Sequence, residues 1–179
     1  MSKSLRELLD ENGIVFITSV DNSSQSSDIV FRLLSIAQEN PKKEIKLYIS
    51  SFGGEYLNMM SIYDTIKAIK NPISGYCIGN AHQYSALILA ACDKGKRYIL
   101  KHSHIVAREP NGYLGAGANQ ETEIVIAAKE AKEERETFEK LLAKETGQPV
   151  EKVHQDLANK IDLTAEEAVR YGFVDVVLE

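Results

Sequence analysis

Buried strands and amphipathic helices alternate along the first half of this chain, and the alternation constrains the fold more than any other feature. Residues 14–20, 44–51 and 73–81 are rich in β-branched and aromatic side chains, as buried strands are. Apolar residues at helical spacing follow each run, and the first two helices stop near Pro41 and Pro72. This order favours right-handed crossovers over a mostly parallel sheet, so the sequence predicts an α/β fold.

The second half contains one unusually long predicted helix. Short strands are predicted at 97–100 and 104–107, and a glycine-bearing loop at 110–119. Residues 120–146 then predict a highly charged helix with a thin apolar stripe. Because one core stabilises so narrow a stripe poorly, we expect this helix to project or to pack on another chain. We find no linker, and we expect residues 1–179 to form a single domain.

Composition argues against several classes of function. The net charge is −5 with basic and acidic residues interspersed, so nucleic-acid binding has no support beyond the short run 94–97. No apolar run approaches a membrane span, and we expect no secretory signal. The histidines and cysteines lack metal-ligand spacing, so no metal or cofactor is predicted. Cys77 and Cys92 lie in apolar segments, which predicts reduced thiols and a cytoplasmic location, or an equivalent reducing organelle compartment.

A turn of small residues joins the third predicted strand to an apolar helix. Such a turn exposes one side chain at the start of a helix, where backbone N–H groups stabilise an oxyanion. Gln83 occupies the exposed position, and its amide has no ionisable oxygen with which to attack a substrate. The segment therefore has the layout of a serine peptidase nucleophile turn without the nucleophile.

Five segments, taken in order, resemble the ClpP family, the proteolytic subunits of the Clp protease. The sequences are LYISSFGG at 47–54, GNAHQYSALILAA at 79–91, KGKRY at 94–98, TGQ at 146–148 and TAEEAVRYGFVD at 164–175. Glu109-Pro110 and the glycine loop also resemble the start of the family's handle region. The resemblance runs from about Leu5 to the end of the chain.

The resemblance implies a fold and an assembly. The implied fold is the ClpP/crotonase-like ββα spiral with a protruding handle helix, in a handle region of about residues 110–147. The implied assembly is a heptameric ring, paired through the handles into a tetradecamer, made of this chain alone or with an active ClpP paralogue. An AAA+ unfoldase is a candidate partner. We expect the family's N-terminal gating segment to be short or absent, which puts unfoldase docking by this chain in doubt.

The family's Ser-His-Asp triad is replaced at all three positions. The resemblance places Gln83, Arg108 and Lys160 there. Arginine stays protonated and cannot serve as a general base, and a lysine cannot orient an imidazolium as a carboxylate does. The chain is thus identified as a triad-lacking, ClpR-like member. We expect a catalytically inactive subunit of an ATP-dependent Clp-type proteolytic complex, with a structural or regulatory role in ring assembly.

The remaining backbone of the site is expected to survive for structural reasons. Gly53, Gly54 and Tyr84 form the predicted remnant of the oxyanion hole. A hole without a nucleophile gives little turnover, although it can still hold a carbonyl or a carboxylate.

Two cations in one site should require compensation by acids. Arg108 and Lys160 would repel each other, and Glu55, Glu109 and Asp162 are the candidate partners. We expect Arg108 to pair with Glu55 or Asp162 and to plug the site.

Three other functions stay open at this stage. The first is an active serine endopeptidase that uses Ser85, although a helix would rotate Ser85 about 200° from Gln83, away from the site. The second is a crotonase-like acyl-CoA enzyme with Glu55 as its acid or base. The third is a homo-oligomer that only binds peptides.

Overall fold

The computed structural model describes residues 3–110 and 120–179. These residues contain seven helices and seven strands. The helices are α1 (Leu5–Glu11), α2 (Ser23–Glu39), α3 (Tyr56–Ala68), α4 (Tyr84–Ala90), α5 (Glu121–Thr146), α6 (Val150–Asn159) and α7 (Ala165–Tyr171). The strands are β1 (Ile14–Ile17), β2 (Ile45–Ser51), β3 (Ile73–His82), β4 (Arg97–Leu100), β5 (His104–Ala107), β6 (Ile161–Leu163) and β7 (Val176–Leu178).

The sheet is parallel apart from one short strand, as the alternation predicts. Its main path is β1-β2-β3-β4-β7, and every pair along it is parallel. β3 is long enough to have two successive neighbours: residues 75–77 pair with β4, and residues 80–82 pair with β5. β6 pairs antiparallel with β5. The far end of β3 therefore pairs with β5 rather than β4, and β6 extends the sheet beyond β5.

The two faces of the sheet differ in burial. One face and the helices packed on it form the core, which includes every residue of α4. On the other face four aromatic rings stack from strand to strand with centroid separations of 5.3, 4.8 and 4.8 Å. These rings belong to Phe16, Tyr48, Tyr76 and Tyr98. Burial on all sides explains why α4 is apolar around its whole circumference.

The long charged helix is confirmed, and only its C-terminal part packs on the core. Phe138 and Leu142 of α5 are fully buried. Ile124, Val125 and Ile126, in its first turns, are 45, 61 and 56 % exposed. α5 therefore begins away from the core, as its thin stripe predicts. The loop predicted at 110–119 lies, apart from Pro110, outside the described residues.

The basic run at 94–97 has a structural role. Arg97 is 3 % exposed, and its guanidinium pairs with Asp175 beside β7. Its Nη1 also donates to the carbonyl oxygen of Gly172 at 2.8 Å. Lys96 pairs with Glu44 at 2.9 Å. These pairs tie the segment between α4 and β4 to its neighbours, because a buried guanidinium is tolerated only when it is paired and hydrogen-bonded.

Candidate functional site

The turn between β3 and α4 holds Gln83 in a strained conformation. Its φ is 48° and its ψ is −114°, in a region that residues other than glycine rarely adopt. Two backbone hydrogen bonds fix it: its N–H donates to Val106 at 2.8 Å, and its carbonyl accepts from Leu87 at 3.1 Å. Strain of this kind persists only where the surroundings over-determine the backbone, and it concentrates at functional sites. The sharp strand-to-helix turn is therefore intact around a side chain that cannot react.

The side chain of Gln83 lies between two neighbouring segments. Its Nε2 donates to the carbonyl oxygen of Glu109 at 3.2 Å. On the other side, a Cβ added to Gly53 would lie 3.7 Å from the Oε1 of Gln83 and 3.4 Å from the carbonyl oxygen of His82. The amide thus hydrogen-bonds to the segment after β5 and lies beside the glycine turn after β2.

The glycine pair is required by the backbone. Gly53 has a φ of 99°, which favours glycine, and a Cβ on Gly54 would lie 2.2 Å from the carbonyl oxygen of Val20. The N–H of Gly53 donates to the Oγ of Ser51 at 3.1 Å, so it is not free to bind a ligand. The N–H groups of Gly54 and Tyr84 donate to no protein group among the described residues. Of the three predicted hole residues, these two keep an available donor.

The hydroxyl of Tyr84 connects the turn to α5. It donates a hydrogen bond to the carboxylate of Glu134. Burial raises the pKa of Tyr84, and its hydrogen bond to Glu134 raises it further. Burial also raises the pKa of Glu134, although the hydrogen bond from Tyr84 opposes that shift. Tyr84 therefore stays protonated and holds the helix beside the turn.

Arg108 and Lys160 flank one end of the β5–β6 ladder. Ala107 is paired with Ile161 across this antiparallel pair, so the next residue of one segment and the preceding residue of the other flank the same end. β3 enters the same region, because His82 is paired with Val106. The topology thus brings positions 83, 108 and 160 to one corner of the sheet.

The charges at this corner act on His82. Burial is the main cause that lowers the pKa of its imidazole, and nearby Asp162 opposes that shift. The charges of Arg108 and Lys160 lower the pKa of His82 further. His82 is therefore biased toward the neutral form near neutral pH.

The prediction that Arg108 forms an ion pair with Glu55 or Asp162 is wrong. Arg108 is exposed and forms no ion pair with a described residue. The carboxylate of Glu55 caps α3 instead and accepts from two backbone N–H groups at 3.1 and 3.0 Å. Asp162 contacts the Nδ1 of His104 at 2.9 Å, and Glu109 pairs with Arg135 at 3.4 Å. Each candidate acid is thus engaged elsewhere.

The comparison with known families agrees with this geometry. A family model described as Clp protease matches residues 1–179. The chain belongs to the Clp protease family. The match confirms the resemblance and is consistent with the mixed α/β fold. Members of the Clp protease family form rings.

Within the described ranges, none of the helices is both long and apolar enough to cross a bilayer.

Ser85 is the hydroxyl nearest in sequence to the position where the Clp protease family has its nucleophile. It is 0 % exposed, and its Oγ lies 2.7 Å from the carbonyl oxygen of His82 and 3.2 Å from that of Ser51. The hydroxyl thus faces the core, as the helical rotation from Gln83 predicts. Backbone carbonyls, rather than an imidazole, are its described partners.

The pair between His104 and Asp162 escaped prediction. The two side chains meet only because β6 lies beside β5, and the three residues of β6 are too few to predict a strand from the sequence. The apolar-polar-apolar order of residues 161–163 is the only signal for β6 in the sequence.

Among the described residues, no group of three histidine, cysteine or acidic side chains is arranged to hold a metal ion.

Proposed function

We propose that this chain is a catalytically inactive subunit of an ATP-dependent Clp-type proteolytic complex, with a structural or regulatory role in ring assembly. One observation carries the proposal: the strained turn that should expose a nucleophile presents the amide of Gln83. The chain keeps the backbone of the site and lacks groups that can perform acyl transfer.

The other two positions support the same conclusion. A general base must accept a proton near neutral pH, and a guanidinium at position 108 has no lone pair to do so. An ammonium at position 160 would repel the imidazolium that a carboxylate normally stabilises. Replacing Gln83 alone would therefore restore no activity.

The two catalytic alternatives lack the groups they need. An active site built on Ser85 requires an accessible hydroxyl beside a base, and Ser85 is buried against backbone carbonyls. A crotonase-like reaction requires a free carboxylate near the hole, and Glu55 is occupied in capping α3. Inactivity is the only one of these functions that requires neither Ser85 nor Glu55 to leave its structural partners.

The assembly role rests on α5. Its first turns expose a continuous run of three aliphatic side chains, at positions 124–126. Fully burying an exposed aliphatic side chain contributes about 1.5–3 kcal/mol, so covering each of these half-exposed side chains would contribute about half as much. We propose that the chain forms one domain whose handle, about residues 110–147, contacts a second copy or an active paralogue within the ring. A reducing compartment, such as the cytoplasm, and an AAA+ unfoldase partner remain predictions.

A fluorophosphonate probe tests the proposal, because it modifies only an activated serine. We expect no labelling of the purified chain. The triple variant Gln83→Ser, Arg108→His, Lys160→Asp should be labelled at position 83, because the turn and two hole donors are already in place. The variant Gln83→Ser alone is the matched control and should stay unlabelled. Labelling of the unmodified chain at Ser85 would contradict inactivity, and an unlabelled but folded triple variant would contradict the assignment of the three positions.

A further inference from the structure

A groove between the start of α3 and α5 is lined by carboxylates from both elements. They belong to Glu55, Glu130, Glu133 and Glu134. Among the described residues no lysine or arginine lines this groove, and residues 111–119 contain neither. Lys129 offsets one charge from outside the groove, because its Nζ lies 3.7 Å from the carboxylate of Glu133. The groove therefore holds an excess of negative charge.

Glu134 marks the point at which α5 leaves the core. The hydroxyl of Tyr84 in α4 donates to its carboxylate, and the ring of Tyr84 packs on that of Phe138 with a centroid separation of 4.9 Å. Phe138 lies one turn further along α5 and is fully buried, whereas residues 124–126, before Glu134, are largely exposed. Together with the pair of Arg135 and Glu109, the contact between Tyr84 and Glu134 fastens the N-terminal turns of α5 to the core.

The groups that face Glu134 from the other elements disfavour its charged form on balance. The hydroxyl of Tyr84 favours the carboxylate, whereas the phenol of Tyr56, at the start of α3, brings no positive charge to the groove. Burial is the main cause that raises the pKa of Glu134, and the negative charge of Glu55 raises it further, although the hydrogen bond from Tyr84 opposes both. The proton on Glu134 is therefore held more tightly than on an exposed glutamate.

The neighbours of Glu134 on α5 supply no compensating charge. Like charges four positions apart on a helix are destabilising, and Glu130 and Glu134 have that spacing. Arg135 is directed toward Glu109 and Glu139, at 3.4 and 3.6 Å. An ionised Glu134 thus adds one more like charge to the groove, and a bound proton removes it.

We propose that the contact between Tyr84 and Glu134 is a pH-sensitive joint that fastens the N-terminal turns of α5 to the core. When Glu134 is protonated, these turns stay beside the start of α3. When it is ionised, repulsion within the groove loosens them. One consequence rests on the proposed function: since residues 124–126 carry the proposed assembly contact, loosening the joint would also weaken assembly.

The direction of the pH effect follows from proton linkage. A carboxyl group whose pKa is raised in the attached state contributes to attachment below its ordinary pKa of about 4.3. That contribution is lost as the pH rises through the raised value. The N-terminal turns of α5 should therefore be held more firmly near about pH 4.5 than near about pH 8.

Hydrogen exchange of the full chain, measured by mass spectrometry, tests the joint. Helical turns without tertiary packing are only marginally stable, so the amides of loosened turns exchange faster. The variant Glu134→Gln keeps an acceptor for Tyr84 and removes the charge. At about pH 8 we expect residues 124–133 to exchange about fivefold more slowly in this variant than in the unmodified chain. At about pH 4.5 the two chains should exchange alike.

The matched control is Glu136→Gln, which makes the same charge change on the same helix outside the groove. It should leave the exchange of residues 124–133 unchanged at both pH values. Equal exchange of Glu134→Gln and the unmodified chain at about pH 8 would overturn the inference, as would the same slowing at both pH values or in Glu136→Gln. Assembly is read separately by native mass spectrometry. Slowed exchange at about pH 8 without stronger assembly would support the joint and contradict only the assembly role of α5.

Discussion

The ion pair between Arg97 and Asp175 should be worth several kilocalories per mole to the fold. Asp175 accepts from the Nε of Arg97 at 2.9 Å and from the backbone N–H groups of Gly95 and Arg97 at 2.8 and 3.1 Å. Arg97 is almost fully buried. The variant Asp175→Ala leaves a buried guanidinium without its carboxylate, which costs about 3–5 kcal/mol in buried pairs. Asp175 is partly exposed, so we expect about 3 kcal/mol and a Tm about 6–12 °C lower.

The pH dependence of the same pair has a definite sign. Burial alone would raise the pKa of Asp175, but its hydrogen bonds and the charge of Arg97 outweigh burial and hold that pKa below its ordinary value. A lowered pKa in the folded state contributes stability at pH values above the unfolded pKa of about 3.9. That contribution is lost as the pH falls through the lower, folded value. The Tm difference between the unmodified chain and Asp175→Ala should therefore shrink below about pH 4.

Differential scanning calorimetry measures both effects. The matched control is Glu136→Ala, which removes an exposed pair with Lys132 one helical turn away and should cost less than about 0.5 kcal/mol. A double variant, Arg97→Met with Asp175→Leu, tests the origin of the loss, because replacing both charges by apolar groups is often nearly neutral. If Asp175→Ala unfolds at the same temperature as Glu136→Ala, the pair has no structural role.

Two other perturbations have expected results. Gly54→Ala should destabilise the chain by more than about 2 kcal/mol in calorimetry, because its Cβ would lie 2.2 Å from the carbonyl oxygen of Val20. Gly147→Ala, where a Cβ meets nothing within 4 Å, should cost only the strain of its positive φ, about 1 kcal/mol, and equal losses would refute the steric argument. Ile124→Ser with Ile126→Ser should change the free energy of unfolding of the isolated chain by less than about 1 kcal/mol, because both side chains are already exposed. The same variant should weaken ring assembly in native mass spectrometry, and unchanged assembly would argue against the proposed contact of α5.

The sequence is most informative where one pattern changes into another. The period of apolar residues changes at Gln83, so the strand, the turn and the helix are all predictable there. The long helix is predictable because its capping residue Gln120 and its terminal Gly147 bracket one charged run. The thin stripe also indicates that its first turns lack a local core. These predictions depend on local chemistry, which a linear sequence displays directly.

The side-chain pairings were less predictable because they depend on competition between partners. Glu55 lies next to the glycine turn in the sequence. Its carboxylate accepts hydrogen bonds from two backbone N–H groups at the start of α3 instead of pairing with Arg108. The partner of Asp162 is set by the register of β5 and β6, and β6 is too short to be predicted. The same register explains why Arg108 and Lys160 face one corner together. The sequence therefore points to these residues, whereas their hydrogen-bonding and ionic partners follow only from the three-dimensional contacts.

Native mass spectrometry of the proposed ring, purified from its source cell after treatment with a fluorophosphonate probe, tests inactivity most directly. The method weighs the intact ring and then each released subunit, so it shows which chain carries the probe. We predict that this chain is released at its unmodified mass from a ring in which any adduct belongs to a second, triad-bearing subunit. An adduct on this chain would contradict the proposed function.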